Sequence, residues 1–331
     1  MTKYLLPAVR EWAEWGPAFN DAALWPPVVR RIWAGDAALR AATGIAAPAR
    51  ITAGYPGTCA VLIVDESAVI KIFPPPLVND FARERAIYRL PGLTLPFAPA
   101  LLAEGILHDR AGWPYLVFSF LPGAAWRDVL PAVPPDERAA IMRELGHAIR
   151  VIHDTPLPAA GSWPSRAAWE VFPHHRLAHV PQELRPGTVL PDSVIGEIEA
   201  LLAGTDWYTA PPRLLHADLT EDHLLVSRTA GRWWISGLID WADAEVGDPY
   251  YEWIALWFGM CRRRAELWRA FLDGYDPTQP PDYLAIDRLT AFTFLHRFGT
   301  GIVNDVIAPD EQRALNSLRE LQRALFTGLL T

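Results

Sequence analysis

Cysteine is almost absent: the 331 residues include two, Cys59 and Cys261, far apart and without CxxC or metal-ligand spacing. A small secreted fold stapled by disulfides is therefore excluded. Basic charge is also in short supply. Thirty Lys and Arg against 38 Asp and Glu leave a net charge of −8, which argues against nucleic acid as a partner and for neutral or cationic small molecules. Long hydrophobic runs are missing too. No segment reaches the roughly 18 uninterrupted apolar residues of a membrane span. The apolar run in "MTKYLLPAVREWAEW" is too short for a signal peptide. A cytoplasmic protein, monomeric by default, is the expectation. What is present in quantity is apolar surface: 51% of residues are hydrophobic and 21% charged, enough to bury a sizeable core. At about 150 residues per domain the chain has length for two.

The chain changes character along its length. Residues 1–45 read as short amphipathic helices broken at Pro26 and Pro27, an extension expected to pack on the lobe that follows. Residues 46–121 are strand-rich. Cys59–Val64 and Ala68–Phe73 flank the polar turn Asp65-Glu66-Ser67 as a hairpin. Asp80 can cap the helix "FARERAIYRL". "AEGILHDRAGWPYLVFSFLPG" reads as a second hairpin turning at Asp109–Gly112. Residues 122–331 are mainly helical. Ile141, Leu145, Ala148, Ile149 and Ile152 form a 3.6-residue stripe, and "PDSVIGEIEALLAG" is a helix ending at Gly204. The Pro-, Trp- and His-rich stretch 155–190 carries no clear period. A cleft between two such lobes is a common ligand site.

The densest chemistry lies in "RLLHADLTEDHLLV", residues 213–226, where two His and three acids interrupt apolar runs. "HLLV" and "RWWISGLID" form strands around a turn at Gly231. With the turn centred near residues 229–230, position 223 pairs with roughly 236, and Asp240 emerges beside Asp218–Asp222. Two carboxylates, Asp218 and Asp240, are thus expected at one open end, with His223 between them. Asp243, Glu245 and Asp248 follow, with Pro249 placed for the first turn of a helix capped by Asp248.

The pattern H-x-D, four residues, His223, a short hairpin and then "IDW-x-x-A-x-x-GDP-x-YE" resembles the aminoglycoside and hygromycin phosphotransferases, within the wider protein-kinase-like fold that includes choline kinase. The likeness is strongest over residues 213–253 and fades upstream to about residue 50. It implies a bilobal α+β fold: a small antiparallel-sheet N-lobe that binds nucleotide and a larger helical C-lobe with the catalytic loop and acceptor site. It also implies an O-phosphotransferase that takes the γ-phosphoryl of ATP or GTP to an alcohol. That reaction asks mainly for positioning and charge neutralisation. By the resemblance, Asp218 orients the acceptor hydroxyl and takes its proton, and Asp240 holds Mg2+, a hard ion suited to oxygen ligands. Lys71 neutralises the phosphates and pairs with Glu84. Gly54, Gly57 and Thr58 in "AGYPGT" form the turn over the phosphates, and the backbone at Ser119 and Leu121 meets the base. The acceptor implied is an aminoglycoside or hygromycin-like aminocyclitol, with antibiotic resistance as the result; a choline, sugar or other metabolite kinase is the alternative within the same fold.

Two departures stand out. Position 223 is His where the family carries Asn, its second metal ligand; imidazole suits transition metals better than magnesium. Manganese, a weakly held second ion, or a hydrogen bond from His223 to Asp218 are the three readings. The phosphate loop is also poor in glycine and carries Pro56. Other chemistries compete. Asp243, Glu245 and Glu252, with Asp273 and Asp276 downstream, are acids for a polyamine acceptor or an ordinary surface. His174, His175 and His179 with Glu183 suggest zinc, against which Pro173 and Pro181 interrupt the helix. His216, Asp218 and His296 suggest a non-haem iron triad, which needs a β-sandwich that the helical C-terminal half does not offer. A catalytically silent nucleotide-binding module is the last reading. Most readily, His216 packs and bonds the loop backbone.

Overall fold

The computed structural model describes all residues except 1–3, 20, 55–56, 162, 279–284 and 330–331. The chain divides into two compact units: residues 1–91, 98–122 and 239–243 form the first, and 92–97, 123–238 and 244–331 the second.

The first unit begins with three helices, α1 (Trp12–Phe19), α2 (Trp25–Gly35) and α3 (Ala37–Thr43). The tandem Pro26-Pro27 sits in the first turn of α2, where a missing N–H costs nothing, so it starts that helix rather than breaking it. Asp36 caps α3 by accepting the Leu39 N–H, and Gly44 closes it at φ 71°. Strands β1 (Ile51–Ala53), β2 (Ala60–Val64) and β3 (Ala68–Ile72), helix α4 (Val78–Tyr88), and strands β4 (Leu101–His108) and β5 (Gly112–Ser119) follow. The sheet is antiparallel in the order β1-β2-β3-β5-β4. Asp65 and Glu66 turn the β2–β3 hairpin with φ 52° and 50°, the left-handed pair that matches strand twist. Side-chain alternation separates two cores. Leu62, Val64, Ile70, Ile72 and Val117 pack with Trp15, Val28, Ile32, Trp33 and Leu39 of the N-terminal helices. Cys59, Phe73, Leu116 and Phe118 face α4 through Phe81 and Tyr88. Asp80 lies inside the first turn of α4, which starts at Val78 without a side-chain cap; the expected cap at Asp80 is corrected, because the chain is already helical two residues earlier.

The second unit is mainly helical. Its elements are β6 (Ala124–Ala125), α5 (Trp126–Val129), α6 (Pro135–His153), α7 (Ala167–Gly187), α8 (Asp192–Gly204), strands β7 (Arg213–Leu215), β8 (Leu224–Thr229), β9 (Arg232–Leu238) and β10 (Glu245–Gly247), helix α9 (Pro249–Ala255), a π-helical turn at Leu256–Met260, and helices α10 (Ala265–Tyr275), α11 (Ile286–Leu295), α12 (Gly299–Val306), α13 (Pro309–Ala314) and α14 (Leu318–Leu325). The stripe on α6 is buried as its period requires: Ile141, Leu145, Ala148, Ile149 and Ile152 are all interior. Pro173 and Pro181 do not interrupt α7, which runs through both. Contacts outweigh the local cost of proline: Trp169 donates Nε1–H to the Trp207 carbonyl at 3.1 Å and Arg176 donates Nε–H to the Leu295 carbonyl at 3.1 Å, while within the helix Arg176 grips Glu183 with both terminal nitrogens at 2.8 and 2.9 Å. His179 turns its Nδ1 to the His175 carbonyl at 2.8 Å, and among the described residues no group of three or more His, Cys, Asp or Glu is set to hold a metal. No described helix is long and apolar enough to cross a membrane.

The hairpin after the His-rich loop differs in register from the sequence expectation. Its turn sits at Ala230-Gly231; Val226 pairs with Ile235 and Leu224 with Leu238, with an irregularity between Leu225 and Val226. The shift arises because Ala230 and Gly231 both take positive φ, 51° and 84°, so the turn falls later than a centre at 229–230. His223 precedes the strand rather than pairing within it.

Candidate active site

In the first unit the period of two along β3 decides where Lys71 goes. Ile70 and Ile72 face the helical core, so Lys71 and Phe73 emerge on the α4 side, with the Lys71 ammonium 5.2 Å from the Phe73 ring centre. On α4 the residues Phe81, Glu84 and Tyr88 recur at helical spacing and face that surface. Glu84 is not on a solvated face but interior, 2% exposed. Its Oε2 is 2.8 Å from Lys71 Nζ, and its Oε1 accepts the Trp241 N–H at 3.3 Å. Lys71 also reaches Asp240 Oδ1 at 2.6 Å. Asp240 itself lies in the left-handed region, φ 66°, a strained setting of the kind found at working sites. Burial by itself pulls the Lys71 ammonium down, but the Asp240 and Glu84 carboxylates outweigh it and hold the group well above its ordinary value. Burial pushes the Glu84 carboxyl up against the opposing pull of Lys71.

The expected phosphate turn is partly placed. The Gly54 N–H closes on the Val61 carbonyl at 2.7 Å, a Cβ at Gly54 would press on Val61 at 2.8 Å while one at Gly57 meets nothing, and the Thr58 carbonyl accepts Trp15 Nε1–H at 2.8 Å. Pro56 lies outside the described residues. At the end of β5 the Ser119 amide is committed to the Ala100 carbonyl at 2.9 Å and the Phe120 amide to Ser67 at 3.1 Å. The Ser119 N–H is thus taken up within the sheet. Leu121 lies beyond both bonds, half-buried.

In the second unit β7 delivers the chain into a loop, residues 216–223, whose backbone is tied at several points. His216, fully buried, takes the Asp218 N–H on Nδ1 at 3.4 Å. The Asp218 carbonyl receives Thr220 N–H at 2.9 Å and lies 2.8 Å from His223 Nδ1. A carbonyl only accepts, so in the neutral ring the His223 proton is on Nδ1. The Asp218 carboxylate stands 3.6 Å from that same nitrogen, its side chain 18% exposed. A carboxylate so placed can accept a proton from an alcohol.

Several candidates lie elsewhere than the sequence suggested. Glu252 is fully buried, with Oε2 on the Ala217 N–H at 3.1 Å. Glu245, 5% exposed, accepts Trp163 Nε1–H at 3.2 Å and its neighbour's Val246 N–H at 3.0 Å. As acceptor contacts both are corrected: they are interior, each with an oxygen bound to the chain's own N–H groups. Asp243 remains half-buried. Asp273 and Asp276 lie 3.8 and 3.6 Å from Arg143 and Arg150, and Asp248 caps α9 through Tyr250 N–H at 2.9 Å while binding Arg288 at 2.6 Å. His296 bonds the Ala217 carbonyl through Nε2 at 3.3 Å. Burial and then the Arg297 charge pull its pKa down to about 3.

A family model for a phosphotransferase enzyme family matches residues 49–288. The chain belongs to that family. Solved structures share its protein-kinase-like fold: an APH(2″) enzyme with GDP and kanamycin (17% identity, 87% of this chain and 94% of that one, TM-score 0.60); a streptomycin–ATP–APH(2″)-IIa ternary complex (16%, 86% and 98%, 0.58); and a thermostable mutant of APH(4)-Ia with ADP and hygromycin B (17%, 88% and 96%, 0.54). The phosphotransferase is thus bilobal α+β, with a five-stranded antiparallel sheet in one unit and helices dominating the other. Among the described residues no β-sandwich surrounds His216 and Asp218, which removes the structural basis of the iron reading.

Magnesium is usually held by one or two carboxylates together with nucleotide phosphates and waters. The accessible Asp240 carboxylate, 35% exposed, fits that manner of binding. His223 offers a nitrogen whose ring is already oriented by the Asp218 carbonyl, a poor substitute for an oxygen donor to this ion. Sequence reasoning missed that Glu252 and His296 bond the backbone of Ala217 and that His153 stands beside Glu252.

Proposed function

We propose that the protein is a small-molecule kinase that transfers the γ-phosphoryl group of ATP or GTP to a hydroxyl of an aminoglycoside or hygromycin-like aminocyclitol, with resistance to that antibiotic as the result. The observation that carries the reading is one ammonium, Lys71, buried between two carboxylates, Glu84 at 2.8 Å and Asp240 at 2.6 Å. A core gains little from such a charged cluster; a phosphate-binding site gains a fixed cation. Lys71 neutralises the phosphates, Glu84 fixes its direction, and the backbone at Ser119 and Leu121 meets the base. The turn through Gly54, Gly57 and Thr58 meets the phosphate tail. Asp240 would hold Mg2+, with His223 as a weaker second donor for Mg2+ or Mn2+; the ion supplies charge neutralisation when bound. Asp218 orients the acceptor hydroxyl and removes its proton. Asp243, half-buried, is the candidate contact for a cationic acceptor. The solved structures with kanamycin, streptomycin and hygromycin B support the acceptor class.

A second reading, a metabolic kinase for choline, a sugar or another alcohol, is favoured by one observation: Glu245 and Glu252 are interior, so the acids expected to attract a polycation are largely spent. A nucleotide-consumption screen over aminoglycosides, aminocyclitols and metabolite alcohols separates the two. Turnover with an aminoglycoside is expected; turnover with metabolite alcohols alone moves the assignment to metabolism. Nucleotide binding without turnover on any acceptor leaves a silent module.

A further inference from the structure

Ala217, the residue ahead of Asp218, is fully buried and lies in the left-handed region at φ 62°, a conformation unfavourable for a residue with a Cβ. Both of its backbone polar atoms end on interior side chains. Glu252 Oε2 accepts its N–H at 3.1 Å, and His296 Nε2 meets its carbonyl at 3.3 Å. The Phe298 N–H points at His296 Nδ1, 3.3 Å away. The ring proton therefore sits on Nε2 and is donated to Ala217. Glu252 and His296 are 0% and 1% exposed, so neither is placed to touch a substrate. Each is held in turn. The Glu252 carboxylate is 3.8 Å from His153 Nε2, and His153 Nδ1 is 2.9 Å from the Tyr275 hydroxyl. The His296 ring lies 4.4 Å from that of Tyr251.

We infer that Glu252 and His296 are positioning residues that lock Ala217 and thereby set the direction in which the Asp218 side chain leaves the backbone. The inference rests on the reading of Asp218 as the acceptor base. The geometry is that of two peptide planes. The plane before Ala217 is pinned at its N–H by Glu252. The plane after it is pinned at its carbonyl by His296 and at the Asp218 N–H by His216, at 3.4 Å. With both planes fixed, φ and ψ of Ala217 are fixed, and the Asp218 Cα–Cβ bond has one direction. Released, Ala217 relaxes toward the right-handed or extended regions and swings the carboxylate away.

Steady-state kinetics on the full-length protein test this, with the best acceptor from the screen and Asp218→Asn as control. Glu252→Ala should lower kcat by about ten- to a hundredfold, the scale of an ångström of misplacement. The KM for nucleotide should move by less than about threefold, since substrate binding is untouched. Glu252→Gln keeps an oxygen for the Ala217 N–H and should recover most of the lost kcat. Full kcat in Glu252→Ala, an equal loss in Glu252→Gln, or a loss confined to KM overturns the inference. If Glu252→Ala does not fold, His296→Phe carries the same expectation, and unchanged kcat there overturns it. An inactive Asp218→Asn beside a fully active Glu252→Ala sinks the positioning role alone, whereas a fully active Asp218→Asn sinks the base assignment on which it rests.

Discussion

His296 takes no charge at working pH, because burial moves its pKa from 6.5 to about 3. Between those values the unfolded chain binds a proton that the folded chain refuses, so stability falls as pH drops through that window. The slope is about 1.4 kcal/mol per pH unit for one such group. Denaturant unfolding at pH 7, 6, 5 and 4 should show a shallower acid slope for His296→Gln by about that amount; an unchanged slope means the ring is protonated in the folded protein. At position 223 the hydrogen bond to the Asp218 carbonyl is one that an amide N–H can also make. His223→Asn should therefore keep or raise magnesium-dependent turnover, and a complete loss contradicts this account of the ring. The pairing of Lys71 with Glu84 was implied by the family resemblance, and the structure shows its geometry: strand and helix periods place both on facing surfaces. The partners of Ala217 were not: Glu252 and His296 lie 35 and 79 residues away in sequence, and no local pattern announces a backbone contact at that range.

Helices α6 and α10 meet through glycines. A Cβ at Gly146 would collide with the Phe271 and Tyr275 backbone, and one at Gly274 with the Arg143 carbonyl. Backbone cannot step aside as a side chain can, so Gly274→Ala should cost about 1–3 kcal/mol by overpacking. Thermal unfolding checks this; an unchanged Tm would show that the two helices can separate without cost. The α6 stripe was readable because its period is regular, and the β2–β3 hairpin because Asp-Glu-Ser interrupts two β-rich runs. Helix α7 was not, since Pro173 and Pro181 spoil the local signal and the helix is held by Trp169 on Trp207 and Arg176 on Leu295, partners visible only in three dimensions. The β8–β9 register was missed by a small displacement of the turn onto Ala230-Gly231, beyond what turn composition alone fixes.

At the scale of the molecule, a strand-rich first third followed by helices implied a small β-rich lobe and a larger helical one, and the motifs from His216 to Glu252 carried the resemblance to the phosphotransferases that implied the kinase-like fold. The acceptor was less legible. Acids counted along the sequence suggested a cationic partner, yet burial assigns Glu245 and Glu252 to the chain itself. Counting charge in a sequence does not separate carboxylates that face a substrate from those that hold a loop.

The central claim is phosphoryl transfer with Asp218 as the acceptor base. Its most direct test is acceptor-dependent turnover of wild type and Asp218→Asn at saturating nucleotide, with nucleotide affinity measured in parallel. The account predicts a fall in kcat of about 10²–10⁴-fold, the usual contribution of a positioned general base, at unchanged nucleotide affinity. Asp218→Asn turning over at the wild-type rate would contradict it.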